Sequence, residues 1–145
     1  MSEHRATVEW NRDGAFDYAT YSRRHELRFD GISVPGNAAP GNIPPSVKKQ
    51  QGVDPEQAFV AALSSCHMLW FLHLACRKKW VVERYVDEAV GILDKTWMSR
   101  VTLRPKVSFA GAAPSAQELR ALHEAAHHEC FIANSVKSEV IIEPC

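Results

Sequence analysis

The sequence predicts an α+β domain, and three observations carry that prediction. From Ala58 to Cys76 the chain reads AFVAALSSCHMLWFLHLAC, nineteen residues without one formal charge. A second helical segment opens at Ser115, and short runs with strand-like alternation lie on either side of both. Strands gathered around two helices, without regular strand–helix interleaving, suggest α+β architecture. A chain of 145 residues suits one domain, spanning 1–145, with a sizeable core.

Taken in order, Ala6, Val8 and Trp10 share one face of a first strand, and Asn11-Arg12-Asp13-Gly14 reads as a turn. Phe16 to Tyr21 and Glu26 to Asp30 supply two further strand candidates. Residues 31–53 hold four Pro and four Gly with no periodic pattern, which predicts a long loop.

The central helix has a well-marked start. Asp54 suits the N-cap, Pro55 the first helical position, and Gln57 can close a capping box onto Asp54. Arg77-Lys78-Lys79 complements the negative pole at the far end. At about 100° per residue, Phe59, Ala62, Leu63, Leu69, Trp70 and His73 share the face of Cys66. Val60, Ser64, Met68 and Phe71 lie opposite, so the helix is apolar all round and is expected to be buried. The run also approaches the ~20 residues of a membrane span. Ser64, Ser65, His67 and His73 dilute it, and a core helix without a membrane partner is the expectation.

Beyond it, Tyr85 to Leu93 reads as a strand, and Val101, Leu103, Val107 and Phe109 alternate with polar neighbours. Pro105 inside that run predicts an edge or a bulge. Ser115 and Glu118 form a second capping box, opening a helix through about His128 with Leu119, Leu122 and Ala126 as its stripe. Lys137 to Glu143 closes the chain as a strand.

Seventeen basic residues balance seventeen acidic ones, so nothing in the charge points to nucleic acid or an anionic membrane. The opening MSEHRATVEW places charges where a signal peptide has its apolar region, and a cytoplasmic protein is expected. Cys66, Cys76, Cys130 and Cys145 show neither CxxC spacing nor the density of a disulfide scaffold. His123-Glu124-Ala125-Ala126-His127 matches the HExxH pattern, in which two histidines bind zinc and the glutamate acts as base. No third ligand is evident, and no metal site is expected; a zinc hydrolase stands as an alternative. Cys66 and Cys130 are the better pair, either as packing or as a redox couple. A thiol in mid-helix needs a nearby cation to become a thiolate. Arg12, Arg23, Arg24 and Arg28 are the candidates, with Glu56 the natural carboxylate to orient one of them.

The run DPEQAFVAALSSC, followed by HMLWFL and later by ECFIANSVKSEVIIEP, resembles the OsmC/Ohr family of thiol-dependent hydroperoxide reductases. The resemblance extends over nearly the whole chain. It implies an α+β homodimer of intertwined subunits, with antiparallel sheets around a long central helix. Cys66 then matches the peroxidatic cysteine, Cys130 the resolving one, and Glu56 the carboxylate that orients the active-site arginine. Arg28, in LRFDG, is similar to the arginine of one branch and is favoured; Arg12, in NRDG, matches that of the other. Members often carry Cys-Pro at the second cysteine, whereas Phe131 follows Cys130 here. The HMLWFL run and the 31–53 loop depart as well.

The implied activity is reduction of organic hydroperoxides at Cys66, resolved by Cys130 and reset by an external dithiol, with no cofactor. Phe59, Leu69, Trp70 and Phe71 are close enough in sequence to line an apolar pocket, or to fill a core. The alternative on the same fold is a non-enzymatic binding domain with inert cysteines. Ten helical residues rise about 15 Å, so Glu56 and Cys66 stand nearly three turns apart on one helix. Glu56 is therefore expected to act in trans, on Cys66 of a partner subunit.

Overall fold

The computed structural model describes residues 1–145, and the chain resolves into two compact units, Met1–Ala58 and Phe59–Cys145. The boundary falls within the first turn of the long helix α1, Pro55–Arg77.

The first unit carries a three-stranded antiparallel sheet in the order β1 (Thr7–Glu9), β2 (His25–Phe29), β3 (Ile32–Gly36). β2 and β3 form a tight hairpin in which Phe29 opposes Ile32. Asp30 and Gly31, with φ of 39° and 88°, supply the two left-handed residues that such a turn needs. The strand expected over Phe16–Tyr21 is absent. Asp17 ties that segment into a turn: its side chain accepts from Ala19 N–H at 2.9 Å and its carbonyl from Tyr21 N–H at 2.9 Å. Trp10, Phe16 and Tyr21 instead cluster through their rings, with centroids 5.2–6.1 Å apart.

The 31–53 stretch is more ordered than a loop reading implies. β3 occupies its start, a single 3-10 turn spans Pro40–Asn42, and Val53 returns to bridge Gly36. Asn37 N–H donates to Val53 O at 3.1 Å, and the Asn37 side chain to Gln50 O at 2.8 Å. Gly52 permits that closure, because a Cβ there would stand 2.7 Å from the Gly36 backbone. The start of α1 is capped reciprocally, as expected. Gln57 N–H donates to Asp54 Oδ1 at 2.7 Å, and Asp54 N–H to Gln57 Oε1 at 3.2 Å.

In the second unit, β4 (Val81–Asp87) pairs antiparallel with β7 (Pro105–Ala110). A separate sheet has the order β5 (Val90–Asp94), β6 (Trp97–Leu103), β8 (Glu139–Ile142), with β5–β6 antiparallel and β6–β8 parallel. The predicted strand over Tyr85–Leu93 is thus two strands in two sheets, separated at Glu88-Ala89. The Val101–Phe109 run breaks likewise at Arg104, whose N–H is held by Asp87 Oδ1 at 2.6 Å. Pro105, which has no N–H to give, opens a strand with a single neighbour, in keeping with its expected edge position. Helix α2 (Ala116–Glu129) begins with the predicted capping box between Ser115 and Glu118.

Two apolar clusters hold this unit. Phe71, Ala75, Leu122 and Ala126 join α1 to α2, with Tyr85, Val107 and Phe109 packed against them. Leu63, Val101 and Leu103 form the other, with Phe59, Val60, Ile132, Val140 and Ile142 around them. Leu63, His67, Phe71 and Ala75, four residues apart, are the stripe that α1 buries completely. Ala61, Ser65, Leu69, His73 and Cys76 are exposed. The expectation of a helix buried on every side is corrected accordingly: one stripe is fully buried and Phe59, Val60, Trp70, Leu72 and Leu74 pack beside it, but one side of the helix stays exposed in this chain. By length and composition alone the same helix is long and apolar enough to cross a bilayer.

Candidate active site

Cys66 stands in the middle of α1, half-buried at the margin of the covered stripe. Cys130 is the residue on which α2 ends. Its backbone turns extended (φ −67°, ψ 108°), and its N–H donates to His127 O at 3.2 Å. The turn that follows is firmly tied. Asn134 N–H reaches Cys130 O at 3.0 Å, Ser135 Oγ donates to Phe131 O at 2.6 Å, and Asn134 Nδ2 donates to His128 O at 3.0 Å.

This geometry brings the two predicted cysteines together. All four cysteines are free thiols, and Cys66 is near enough to Cys130 to influence its thiol. Cys130 is 1% exposed. Burial first, and then the neighbouring Cys66, pushes its thiol up to about 11, against partial relief from the Ala133 N–H that donates to its sulfur at 3.4 Å. Cys130 is therefore protonated at neutral pH, a buried thiol in reserve beside a more accessible one.

Over Cys66 lies an apolar groove of about 330 Å³, lined by Cys66, Leu69, Trp70, His73 and Phe131. The Trp70 ring meets Phe131 edge-on at 5.4 Å and His73 edge-on at 5.6 Å. The lining differs from the expected one. Leu69 and Trp70 take part, but Phe71 is fully buried against Tyr85 and His123, and Phe59 packs with the second cluster. Helical spacing had placed His73 on the Cys66 face. Phe131 was visible in the sequence only as the neighbour of Cys130.

The HExxH motif does not assemble a metal site. His123 turns inward, its Nδ1 3.0 Å from His67 Nε2, with the two rings parallel within 6°. Glu124 is exposed, and His67, His123 and His127, though neighbours, form no group that could hold a metal ion. His67 and His123 are 1% and 2% exposed, and burial holds both down at about 4, so the pair is neutral at physiological pH. His67 Nδ1, His123 Nε2 and His127 Nδ1 are buried without partners.

Within one chain the charged residues expected at the site have other partners. Arg28 is not brought to Glu56. The β1–β2 register sets Arg28 beside Glu9, and the two form an ion pair on the exposed sheet. Arg12 is exposed and donates to Gly14 O at 2.7 Å. Glu56 keeps one buried carboxylate oxygen without a partner. Arg24 donates to Gln51 O and Glu26 Oε1, and its Nε is buried and unpaired.

The sequence profile of the family described as OsmC-like protein matches residues 48–144. The chain belongs to the OsmC-like family. Among solved structures, an OsmC-like protein of unknown function from Vibrio cholerae is 46% identical, with each chain covered in full and a TM-score of 0.93. An OsmC-like protein from Mycoplasma pneumoniae is 12% identical, with 99% of this chain and 96% of that one covered and a TM-score of 0.78. The organic hydroperoxide resistance protein of Bacillus subtilis is 19% identical, with 97% and 98% covered and a TM-score of 0.66. No curated protein matches at the sequence level. The α+β fold expected of this OsmC-like chain is thus the fold of these relatives.

Proposed function

We propose that this OsmC-like protein is a thiol peroxidase that reduces organic hydroperoxides at Cys66. The observation that carries the reading is that Cys66 lines an apolar groove and has the buried thiol of Cys130 as its neighbour. In support, several proteins of the same fold bear the name organic hydroperoxide resistance protein.

The chemistry follows from the two environments. The Cys66 thiolate attacks one peroxide oxygen; the O–O bond breaks, and the alkoxide leaves and takes a proton to become the alcohol. Cys66 is left as a sulfenic acid. Cys130 sulfur then attacks the Cys66 sulfur, water departs with the thiol proton, and a disulfide joins α1 to the end of α2. An external dithiol restores both thiols by exchange. Burial of Cys130 keeps it protonated and out of competition for peroxide until the sulfenic acid forms beside it. The working form is proposed to be a cytoplasmic homodimer, with the exposed stripe of α1 as a surface for the second copy.

Thiol titration with and without cumene hydroperoxide tests the reading. One equivalent of peroxide should remove the Cys66 and Cys130 thiols, with a Cys66–Cys130 peptide appearing in the non-reduced digest. Four thiols persisting after exposure would leave a non-enzymatic binding domain in its place.

A further inference from the structure

The pair His67–His123 joins the two helices that carry the thiols, and the proposed cycle leaves it unused. His67 directly follows Cys66 on α1. Cys130, on which α2 ends, stands seven residues beyond His123, about two turns along the same line of the helix. Both are almost wholly buried. Beside the pair, α1 meets α2 through Phe71, Ala75, Leu122 and Ala126, whose apolar attraction has no direction. The bond of 3.0 Å between His67 Nε2 and His123 Nδ1 does have one, and the two rings lie parallel within 6°. A neutral imidazole has one donor and one acceptor, so one ring must give the proton and the other receive it. The outer nitrogens, His67 Nδ1 and His123 Nε2, are buried without partners, so each ring is satisfied by the other alone. Stability does not call for this arrangement, since two apolar side chains of the same shape would serve about as well. What the directional bond adds is one fixed placement of α2 on α1.

We propose that His67 and His123 are positioning residues for the second chemical step, setting the end of α2 so that the Cys130 sulfur reaches the Cys66 sulfenic acid. This rests on the peroxidase reading and deepens it, because it assigns the pair to resolution. In that step the S–H of Cys130 and the S–OH of Cys66 become an S–S bond and water, and the two sulfurs must meet in line. Attack on the peroxide involves Cys66 alone and makes no such demand on α2. Loss of the bond between the rings should therefore slow disulfide formation and leave the first step unchanged. A sulfenic acid that waits longer meets a second peroxide and passes to sulfinic acid.

Side-chain geometry supplies the test. The amide of Asn reaches the place of histidine Nδ1, and the amide of Gln that of Nε2. At position 123 Asn should keep the bond and Gln lose it, whereas at position 67 Gln should keep it and Asn lose it. The reduced proteins are mixed with cumene hydroperoxide, quenched with N-ethylmaleimide, and both steps are read by intact mass. His123→Gln and His67→Asn should form the disulfide about tenfold more slowly than wild type and accumulate sulfinic acid, with the first step unchanged. His123→Asn and His67→Gln should behave as wild type. The same ranking of Asn and Gln at both positions, or wild-type rates throughout, would overturn the assignment. Long-range proton–nitrogen NMR of the reduced wild type keeps the pair testable even where a variant does not fold. One of His67 Nε2 and His123 Nδ1 must carry a proton and the other not; protons on both, or on neither, would sink the pairing. Diamide separates the two readings, because it oxidises two thiols to a disulfide, itself becoming the hydrazine, without any peroxide. A wild type that closes the disulfide with diamide but ignores peroxide would remove the peroxidase reading alone. The ranking of the four variants with diamide would still decide the role of the pair.

Discussion

The buried pair His67–His123 makes stability depend on pH in a way that can be worked out in advance. Both imidazoles have folded-state values near 4 against 6.5 when exposed, because burial disfavours their charged forms. Between these values the unfolded chain binds protons that the native chain does not. Stability from this source is therefore complete above about pH 6.5 and is lost as pH falls towards 4. Each histidine should lose about 2 kcal/mol between pH 7 and pH 5, and the pair about 4 kcal/mol. A domain typically has only about 5–15 kcal/mol to lose. Guanidinium unfolding at half-unit steps from pH 7 to 5 measures the effect directly, alongside His123→Gln, which is neutral throughout. The wild type should lose stability about twice as steeply as the variant. His127, close enough to disfavour a charge on His67, is retained in both proteins. A flat wild-type profile, or equal slopes in the two proteins, would refute the argument that the pair is buried and neutral.

Three other outcomes are expected. Cys66→Ser should abolish peroxide consumption, whereas Cys130→Ser should complete one turnover and then accumulate sulfinic acid at Cys66, read by intact mass. Among the arginines, Arg28→Met should slow the reaction of Cys66 with peroxide more than Arg12→Met if Arg28 serves the thiol, and the opposite ranking would move the role to Arg12. Mixing Cys66→Ser protein with Glu56→Ala protein should recover activity towards half of wild type per mixed dimer if Glu56 serves a partner's thiol. Complete subunit exchange without recovery would place both groups in one chain's site.

Local signals carried much of this structure. Asp54 with Gln57 and Ser115 with Glu118 mark helix starts by their own chemistry, and both caps form as read. Other features depended on partners far away in the chain. Phe16 to Tyr21 is apolar enough for a strand, but the Asp17 turn outweighs that propensity. Asp30-Gly31 was a legible hairpin signal, obscured by the Pro- and Gly-rich sequence after it. The division at Glu88-Ala89 has no strong local marker; it follows from β4 and β5 finding different sheets. Within the site, the nearness of Cys66 and Cys130 could be anticipated from family resemblance, whereas spacing alone favoured packing over redox chemistry. The pairing of Arg28 with Glu9 was not legible, because it is set by strand register, and register is not visible in one strand. Phe131 escaped notice as a wall of the groove because it joins from beyond α2, more than sixty residues from Trp70.

The position of Cys130 at the end of α2 has a consequence for whatever reduces this protein. A bond from Cys66 to Cys130 would close a loop of about 65 residues and remove about 4 kcal/mol of disorder from the unfolded chain, on the chain-entropy account. Folding and oxidation would then favour one another, and the oxidised protein should melt at a higher temperature than the reduced one. The same coupling lowers the reduction potential of the folded couple by about 90 mV relative to an unconstrained pair. Few monothiols could work against that. A dithiol, which traps the mixed disulfide by closing its own ring, is the electron donor that the proposed cycle would favour.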